Sequence, residues 1–487
     1  MRNRRYVCTL LTLLVVALLS GCSGSSTSGS AASSALQSSP VSLSMTDAPP
    51  AGVIVLSFEV TLSSAVLNPG NVDLLAGRGP IPIEVKHLET EIGFINTANA
   101  AAGTYTSIEL TFVGPELTFR NGTGAAIGSC LPSTVCEFSS SSLPGPLTTT
   151  INFPPPGLTI ATNTPAGLLV DLNLNTLLTD SLGQVGVNFG LNGAATIRQL
   201  SLPSQPIGFF PRIENVPGIV RSKNTVTNRF LLETPFHGNL EVRVNNDTEF
   251  EDFDGCPAVP ANFTCLQDGQ AVEVDLGLIA GGIFFAREIE LDDEANQAID
   301  DALQGVIFNI LSANQFEMVL LHLRRSLPGI SLGRRVTVTI LPGAEFRVDA
   351  HGLTVPSGLE LDFEGATDTA QLMVDQHVQV RRTNGPPTNV KTNRVRLRMS
   401  RFTAKVFSRQ LPNDFTVDNL SELFTSATPS ITQIQVKTIP SETDFENVSG
   451  VSALTVGQSV SLRGLLFKGT PPSATLIADK VRARPTP

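Results

Sequence analysis

Three stretches in the second half of the chain share one spacing: LQDGQAVEV at 266–274, LMVDQHVQV at 372–380 and LTVGQSVSL at 454–462. Each contains a leucine, then a glutamine, then apolar residues at every second position. Alternation with a period of two is typical of a β-strand that has one buried face. Because the pattern recurs, it indicates internal repetition of a small structural unit.

The segments around these stretches also repeat in the same order. A small residue opens a first strand, a phenylalanine lies in the second, and the third ends in an acidic–aromatic step. The quoted stretch provides the fourth strand, and FAREIEL, NRVRLRM or ADKVRAR provides the fifth. Five short strands in about 85 to 100 residues predict a small closed barrel of the OB-like kind. The predicted barrels cover 214–292, 303–400 and 401–487.

The second repeat departs most from the others. It carries insertions around HLRRSLPGISLG and GLELDFEGATDTA, which the other two repeats lack. Before it, DDEANQAIDDAL at Asp292 to Leu303 is the best helical candidate, because its acidic first turn suits a helix N-terminus.

The region 41–201 has a different pattern. Alternation recurs in VIVLSFEVTL, TYTSIELTFV and LLVDLNLNTLL, with breaks at NPGN, GRGP and PPPG. Period-two segments separated by turn residues predict antiparallel strands packed as a β-sandwich. The predicted fold class is therefore all-β, with a sandwich followed by three small OB-like barrels.

Both regions resemble known families. SLSMTDAPP, AGTYTSIELTF and GLLVDLNL resemble a domain of unknown function that opens many bacterial exported lipoproteins. The repeats resemble another uncharacterised exported domain, which usually occurs in tandem. Neither resemblance implies an established activity.

The beginning of the chain predicts export. Arg2, Arg4 and Arg5 precede an apolar run from about Val7 to Leu19, and this order is typical of a secretory signal peptide. The run has about 13 residues, whereas a transmembrane helix needs about 20. We therefore expect residues 1–21 to be a cleaved signal rather than an anchor.

Leu19-Ser20-Gly21-Cys22 resembles the lipobox of bacterial lipoproteins. The resemblance implies that Cys22 carries a diacylglyceryl group, becomes the first residue of the mature protein and is acylated at its amino terminus. Several acyl chains make such an attachment long-lived. The serine-rich segment 22–40 is interpreted as a flexible tether. Ser23 implies outer-membrane sorting if the cell has two membranes, at the periplasmic face or the cell surface.

Four cysteines remain after Cys8 and Cys22 are assigned to the signal and the anchor. They form two local pairs, Cys130 with Cys136 and Cys256 with Cys265. Export to an oxidising compartment favours two small disulfide loops. A metal site would need Cys-x-x-Cys spacing or partnering histidines, which this pattern lacks.

Charge and motifs bear on function. Loss of 1–21 removes three arginines, which leaves 30 basic residues against 44 acidic ones and a net charge of −14. This balance argues against nucleic-acid binding. The chain has no phosphate-loop or His-Glu-x-x-His motif, so we expect no enzyme and no cofactor. Five histidines occur singly and are expected to be surface or satisfied core residues: His87, His237, His322, His351 and His377.

An acidic segment, DTEFEDFDG, precedes the second cysteine pair. Calcium prefers six to eight oxygen ligands, and five carboxylates are weak candidates. Their spacing is not that of an EF-hand, and a solvated acidic loop is the favoured interpretation. The candidates are Asp247, Glu249, Glu251, Asp252 and Asp254.

A basic stretch from Gln376 to Asn413 contains no acidic residue. In NRVRLRM, the arginines alternate with apolar residues, so a strand would present three guanidinium groups on one face. They form a candidate site for an anionic polymer, a lipid headgroup or an acidic partner. The favoured alternative is that they balance acidic faces of neighbouring barrels. The candidate residues are Arg381, Arg382, Arg394, Arg396 and Arg398.

These observations favour a lipid-anchored envelope protein that acts as a non-enzymatic scaffold or interaction protein. The expected partners are the membrane, through the lipid on Cys22, and an envelope protein or anionic polymer. The alternative function is a binding module for an anionic envelope polymer or glycan through the arginine stripe. The absence of tryptophan weighs against a glycan. An envelope hydrolase is the least favoured alternative.

Overall fold

The structure of the protein is a computed structural model. It describes residues 38–48, 53–76, 78–181, 184–200, 212–234, 238–251, 253, 255–258, 260–279, 283–291, 301–323, 329–350, 352–386 and 388–484. The predicted signal peptide, Cys22 and most of the tether lie outside these residues. Strands dominate the described chain, so the predicted all-β class is confirmed.

The first module, named the sandwich, covers the described residues from Ser38 to Leu200. It also contains 3₁₀ helices at Val85–Glu89 and Ser140–Ser142 and a short helix α1 at Leu174–Leu177. Its strands are β1 (Ser38–Ala48), β2 (Val53–Asn68), β3 (Val72–Asp73), β4 (Ile81–Glu84), β5 (Gly93–Ala101), β6 (Gly103–Tyr105), β7 (Ser107–Asn121), β8 (Val135–Phe138), β9 (Thr148–Asn152), β10 (Leu158–Ile160), β11 (Ala166–Asn173), β12 (Leu178–Ser181), β13 (Gln184–Val187) and β14 (Ala195–Leu200).

Two sheets form the sandwich. One has the order β14-β11-β1-β5, and the other has the order β3-β2-β7-β8, with β4 beside β2 and β9 beside β7. Alternate residues of both sheets face a common core that includes Leu43, Phe58, Phe112 and Leu168. This arrangement follows from the period-two pattern, which gives each strand one apolar face.

One ladder of the sandwich differs from the predicted antiparallel pattern. β1 pairs with β11 in parallel, with Val41 opposite Ala166. Parallel neighbours need a long connection, and here β2 to β10 separate the two strands in the chain. Alternation reveals which face of a strand is buried, but it does not reveal the direction of its neighbour.

Three further modules follow and are named the first, second and third barrels. Their strands are β15 (Arg212–Asn224), β16 (Arg229–Thr234), β17 (Gly238–Arg243), β18 (Glu249–Glu251), β19 (Ala271–Ile279) and β20 (Ile283–Leu291); β21 (Asp301–Ser312), β22 (Gln315–Leu323), β23 (Arg335–Val348), β24 (His377–Asn384) and β25 (Asn389–Arg398); and β26 (Ser400–Gln410), β27 (Asp414–Asp418), β28 (Gln433–Thr438), β29 (Asp444–Glu446), β30 (Ser459–Lys468) and β31 (Ser473–Ala483).

Each barrel closes through the same ring of five strands. The second barrel has the order β21-β22-β23-β25-β24, and β24 pairs back to β21. β23 and β25 run parallel, as do β17 with β20 and β28 with β31 in the other barrels. This is the topology of a small OB-like Greek-key barrel, so the predicted repeats are confirmed.

The insertions of the second repeat leave its ring intact. Helix α2 (Ser357–Glu364) and a 3₁₀ helix at Thr369–Gln371 lie between β23 and β24. The third barrel has helix α3 (Glu422–Thr425) and a 3₁₀ helix at Val451–Ala453. Most of the helix predicted at Asp292 to Leu303 lies outside the described residues. Its last three residues belong to β21, so the prediction is wrong there, because pairing with β24 extends the strand.

The repeated glutamine fixes the turn that leads into the fourth strand of each barrel. Its side-chain oxygen accepts a hydrogen bond from the backbone N–H three residues earlier, directly after the buried leucine. The N–H···O distances are 2.6 Å for Gln270, 2.7 Å for Gln376 and 2.9 Å for Gln458. The bond satisfies a donor that the tight turn would otherwise leave without a partner.

The same turn joins the fourth strand to the first. In the third barrel, the N–H of Val406 donates to the carbonyl of Gln458 at 2.9 Å, and the N–H of Gly457 donates to the carbonyl of Val406 at 2.7 Å. Gly457 has a φ of +84°, a conformation that glycine adopts without strain. The first and second barrels make the equivalent bonds through Val220 and Ile307. The repeated stretch therefore closes each ring.

The turn of the third barrel provides a test. We expect Gln458→Ala to lower the free energy of unfolding by about 0.5 to 1.5 kcal/mol, because it removes the acceptor for a backbone donor in a tight turn. The control is Gln410→Ala, whose exposed amide contacts only the hydroxyls of Ser408 and Thr416. Urea unfolding of both variants measures the effect, and equal stabilities would contradict the assigned role.

Candidate functional site

The arginine stripe lies on β25. Val395 and Leu397 point into the core of the second barrel, as the alternation predicts, and the arginines lie on the other face. The side chain of Arg394 is 24% exposed, and its Nε lies 2.9 Å from the carboxylate of Glu345 on β23. This is the least buried end of the stripe.

The other end of the stripe is buried between two barrels. Arg398 bonds to Asp349 of its own barrel and to Glu273 on β19 of the first barrel. Arg396 lies 3.6 Å from Asp349 and 3.8 Å from Glu290 on β20. Burial lowers the pKa of Arg398, but the neighbouring carboxylates raise it by more, so the guanidinium stays charged.

The stripe therefore differs from the open surface that an anionic polymer would need. Its carboxylate partners already occupy the guanidinium groups, and an external anion would have to displace them. Its geometry matches the alternative in which the arginines balance acidic faces of a neighbouring barrel. On β24, Arg382 donates to the carbonyl of Gly385 at 2.8 Å, and Arg381 lies opposite Ala302 in the ladder. Anion binding by these residues stays a prediction.

A second ionic cluster joins the sandwich to the third barrel. Glu91 bonds to Arg401 on β26 and lies 3.3 Å from Arg463 on β30. Glu89 bonds to Lys86 and to the hydroxyl of Thr403. These groups are largely buried, so the charges of one module neutralise those of another.

A cavity of about 200 Å³ lies where these clusters meet. Its walls come from all four modules, and apolar side chains supply most of them. Ile83 and Phe94 belong to the sandwich, Val216 to the first barrel and Leu321 to the second, while Arg401 comes from the third. No single module contains this cavity, and the junction creates it.

Three histidines line the cavity: His87 from the 3₁₀ helix of the sandwich, His322 from β22 and His377 from β24. From the sequence, we expect each of them to be a surface residue or a core residue with hydrogen-bond partners. This prediction is wrong for His87 and His377. The Nε2 atoms of both are buried and have no hydrogen-bond partner among the described residues. His237 and His351 lie outside the described residues.

Burial holds both of these imidazoles neutral. It lowers the pKa of His87 and of His377 well below the usual range, and the positive charge of Arg401 lowers both further. Burial, followed by the carboxylates of Glu84 and Glu116, raises the pKa of Glu59 on the same wall to about 7. The cavity thus combines apolar residues with these histidines and with charged side chains of both signs, among them Glu91 and Arg401.

One signal in the sequence marks His377 in retrospect. It occupies the position in the repeated stretch where the other two barrels have Ala271 and Ser459. A bulky polar residue at a place otherwise held by small ones indicates a local role. No signal in the sequence connects His87, which is 290 positions away, to this point.

The acidic segment forms a small cluster with a residue that the sequence did not indicate. Carboxylate oxygens of Glu249, Glu251 and Glu288 lie within 4.8 Å of one another, and the N–H of Gly352 donates to Glu251 at 3.1 Å. Asp247 lies beside this cluster in sequence and contacts Asn245, while Asp252 and Asp254 lie outside the described residues. Calcium binding here stays a prediction.

Both predicted disulfides are present. Cys130 pairs with Cys136 and Cys256 with Cys265, with Cα–Cα distances of 5.8 and 5.4 Å. Each closes a short loop, the first within the sandwich and the second between β18 and β19 of the first barrel.

Among the described residues, no helix has the length and apolar character needed to cross a bilayer.

Comparison with known proteins identifies a family for the first barrel alone, and that family has no known function. Residues 218–290, within the first barrel, match the family model of a domain of unknown function, DUF5666. No curated protein matches the chain. A solved structure titled "drosophila Unr CSD456" aligns with 12% identity over 56% of this chain and 98% of its own, with a TM-score of 0.13. At this TM-score the alignment supports no functional conclusion.

The buried end of the stripe yields a quantitative prediction. We expect Arg398→Met to lower the free energy of unfolding by about 3 to 5 kcal/mol, because Glu273 and Asp349 lose their shared cation inside the protein. The control is Arg229→Met, which breaks an exposed pair with Glu241 and should cost less than about 1 kcal/mol. Urea unfolding compares them, and similar losses would contradict a buried junction.

Asp375, in the turn before β24, predicts a pH effect. Burial, opposed by Lys86, raises its pKa to about 7, and its Oδ2 has no hydrogen-bond partner among the described residues. The folded state therefore holds a proton that the unfolded state releases near pH 4, so this group lowers stability as the pH rises from 4 to 7. Relative to the wild type, Asp375→Asn should gain stability over that range, by up to about 4 kcal/mol.

Urea unfolding at pH 4.5, 6 and 8 measures this difference. Asp362→Asn is the matched control, because its carboxyl is exposed on α2. We expect the pH curve of the control to follow that of the wild type. A curve for Asp375→Asn that is parallel to the wild-type curve would contradict the buried carboxyl.

Proposed function

We propose that this chain is a non-enzymatic, lipid-anchored scaffold protein of the cell envelope, most consistent with the outer membrane. The observation that carries the proposal is the way the modules are joined. Buried ion pairs and shared apolar cores hold the sandwich and the three barrels together, and the described residues fall into one compact unit. Such a body keeps its outer surfaces at fixed relative positions.

Shared cores support this rigidity. Leu56 of the sandwich, Phe308 of the second barrel and Phe402 of the third belong to one apolar cluster. Leu465 and Phe467 on β30 of the third barrel belong in turn to the core of the second. Domains joined by small polar interfaces move relative to one another, whereas apolar and buried interfaces restrict such motion.

Polar contacts at the edges of these interfaces add directionality. Glu137 of the sandwich accepts from Arg334 at 2.9 Å and from Arg335 at 3.0 Å. Glu442 of the third barrel accepts from the N–H and the hydroxyl of Thr354 at 2.7 and 2.8 Å. Because hydrogen bonds require a defined geometry, these contacts select one arrangement of the modules.

The lipid anchor is inferred from the sequence alone. Cys22 is followed by a serine-rich segment of low apolar content, and a chain of this composition behaves as a flexible tether. A rigid body on such a tether is suited to binding partners away from the bilayer. The net charge of −14 expected for the mature chain makes a protein partner preferable to nucleic acid.

The anchor is tested with Cys22→Ser in a bacterium that processes lipoproteins. We expect loss of labelled fatty acid from the chain and loss of membrane retention, because serine lacks the thiolate that accepts the lipid. The control is Cys8→Ser, which changes the other cysteine of the signal and should leave lipidation intact. Normal retention and processing of Cys22→Ser would contradict the anchor.

The same strains test the scaffold. A photo-crosslinking residue is placed in turn at three exposed apolar positions, one in each barrel: Val226, Leu361 and Val456. We expect at least one position to capture the same envelope protein repeatedly in intact cells, and the capture to decrease with Cys22→Ser. Absence of capture at all three positions, or turnover in a broad hydrolase screen, would contradict the proposal.

A further inference from the structure

We infer that an exposed apolar patch on the third barrel binds the same patch of a second copy of this chain, so that two chains form a two-fold symmetric dimer. The patch consists of Phe407 on β26 and Val456 in the turn before β30, and it is named the Phe407 patch. The inference goes beyond the scaffold role and does not depend on the lipid anchor. It rests on a comparison of equivalent positions in the three barrels.

The turn that closes the third barrel brings the two residues of the patch together. The N–H of Gly457 donates to the carbonyl of Val406 at 2.7 Å, and the N–H of Val406 donates to the carbonyl of Gln458 at 2.9 Å. Phe407 follows Val406 in the chain and Val456 precedes Gly457, so their backbones lie side by side. Phe407 is 48% exposed and Val456 is 67% exposed. The barrel therefore holds two large apolar residues next to each other at its surface.

The second barrel has apolar residues at the same two positions, and there they are buried. The N–H of Asp375 donates to the carbonyl of Ile307 at 2.7 Å, so Phe308 and Val374 occupy the equivalent places. They are only 6% and 7% exposed. Both belong to the apolar cluster that also contains Leu56 of the sandwich and the core of the third barrel. In this copy of the repeat, the apolar patch is an interface between modules.

The first barrel shows what these positions hold when they face solvent. The N–H of Gly269 donates to the carbonyl of Val220 at 2.8 Å, and the equivalent places carry Arg221 and Asp268. Both are exposed and charged, and Arg221 pairs with Glu233 at 2.9 Å. The third barrel combines the exposure of the first with the apolar residues of the second. This combination indicates an interface whose other side is supplied by another molecule.

The surroundings of the Phe407 patch are low in charge. The turn segment 451–458 contains no charged residue. Arg409 on β26 approaches this segment, but its guanidinium donates to the carbonyls of Ser452 and Leu454, both at 2.9 Å. The cation is thus held by the turn of its own barrel. Depletion of charge around large apolar residues is typical of the centre of a protein interface.

A second copy of the chain is the occupant that fits this patch. The surfaces that cover the equivalent patch of the second barrel are modules of this same chain. A two-fold axis brings identical surfaces together, so the patch supplies its own apolar complement. At its edge, Lys405 and Asp418 lie opposite each other in the β26–β27 ladder and provide one charge of each sign. Two copies therefore meet there without a net like charge.

Other apolar surfaces of the chain offer a poorer complement. Among the described residues, the remaining exposed large apolar side chains are spread over different elements: Val113, Leu131, Leu191, Val226, Leu311, Leu361 and Leu411. Stable interfaces bury a total of about 1,600 Å², and the Phe407 patch is formed by only a few residues. We therefore expect a weak dimer, with a dissociation constant of about 1 to 100 µM.

The first test measures the mass of the purified full-length chain by sedimentation equilibrium at concentrations from about 1 to 200 µM. We expect the mass of the wild type to rise from one chain towards two. Phe407→Glu should weaken this association at least about tenfold, because the two-fold axis places two new carboxylates against each other. The matched control is Arg221→Glu, which introduces the same side chain at the equivalent position of the first barrel and should associate like the wild type. Equal urea midpoints of Phe407→Glu and the wild type verify that the variant folds.

The second test locates the contact in intact cells. Two copies of the chain that carry different epitope tags are expressed together, each with a photo-crosslinking residue at Val456. We expect an adduct that contains both tags and has twice the mass of one chain. Phe407→Glu should remove this adduct. The same crosslinking residue at Val226, which is exposed on the first barrel, should not produce it.

Each outcome decides the inference. A wild-type chain that keeps the mass of one chain at every concentration would overturn the dimer. Equal association of Phe407→Glu and the wild type would overturn the location of the contact. Capture from Val456 of a different protein, or of a segment of the same chain, without a doubly tagged adduct would overturn the second copy as the occupant. Capture of a different envelope protein would still support the scaffold, so the two proposals fail separately.

Discussion

The turn before the fourth strand is the constraint on which each barrel depends. A glutamine side chain accepts a backbone N–H within the turn, and two backbone bonds fasten the same turn to the first strand. The first and fourth strands pair with each other in every barrel, and the turn lies at the start of that pairing. When this turn is fixed, the period-two pattern of the remaining strands is sufficient to place their apolar faces inside.

In the second barrel, the same turn also contacts the third barrel. Gln376 fixes the turn with its oxygen, and its side-chain nitrogen donates at 2.8 Å to the carbonyl of Leu466 in the third barrel. Asp375 stands where the other barrels have glycine, and His377 stands where they have alanine or serine. The three turns therefore share one geometry, but the second barrel has different side chains in it. The differences between repeats, rather than their common pattern, indicate the site.

Local patterns in the sequence predicted local structure well. Alternation gave the strands of the three barrels, and short spacing between cysteines gave both disulfides. Contacts between distant segments could not be predicted, because these patterns describe only residues that are close in the sequence. Arg398 and Glu273 are 125 residues apart, and nothing in the pattern of either strand identifies the other as its partner. The parallel ladder of β1 and β11 was missed because alternation is identical in parallel and antiparallel strands.

For the arginine stripe, the predicted strand geometry is correct, but it does not determine what the arginines bind. Strand geometry placed the three guanidinium groups on one face, and they do lie there. The neighbouring barrel then covers that face with Glu273 and Glu290, so the charges contribute to the junction. Buried ion pairs add little net stability compared with apolar packing, but breaking one is costly, so they favour one arrangement of the modules over others.

The cavity is a consequence of this mode of assembly. The modules share parts of their apolar cores, but their flat or convex surfaces do not fill all the space where the four meet. Several buried polar atoms elsewhere, such as the hydroxyl of Thr90, also have no hydrogen-bond partner among the described residues, so an orphan atom alone is weak evidence. His87 and His377 are among the residues that line the cavity. Because four modules supply its walls, the shape of the cavity depends on how the modules pack against one another.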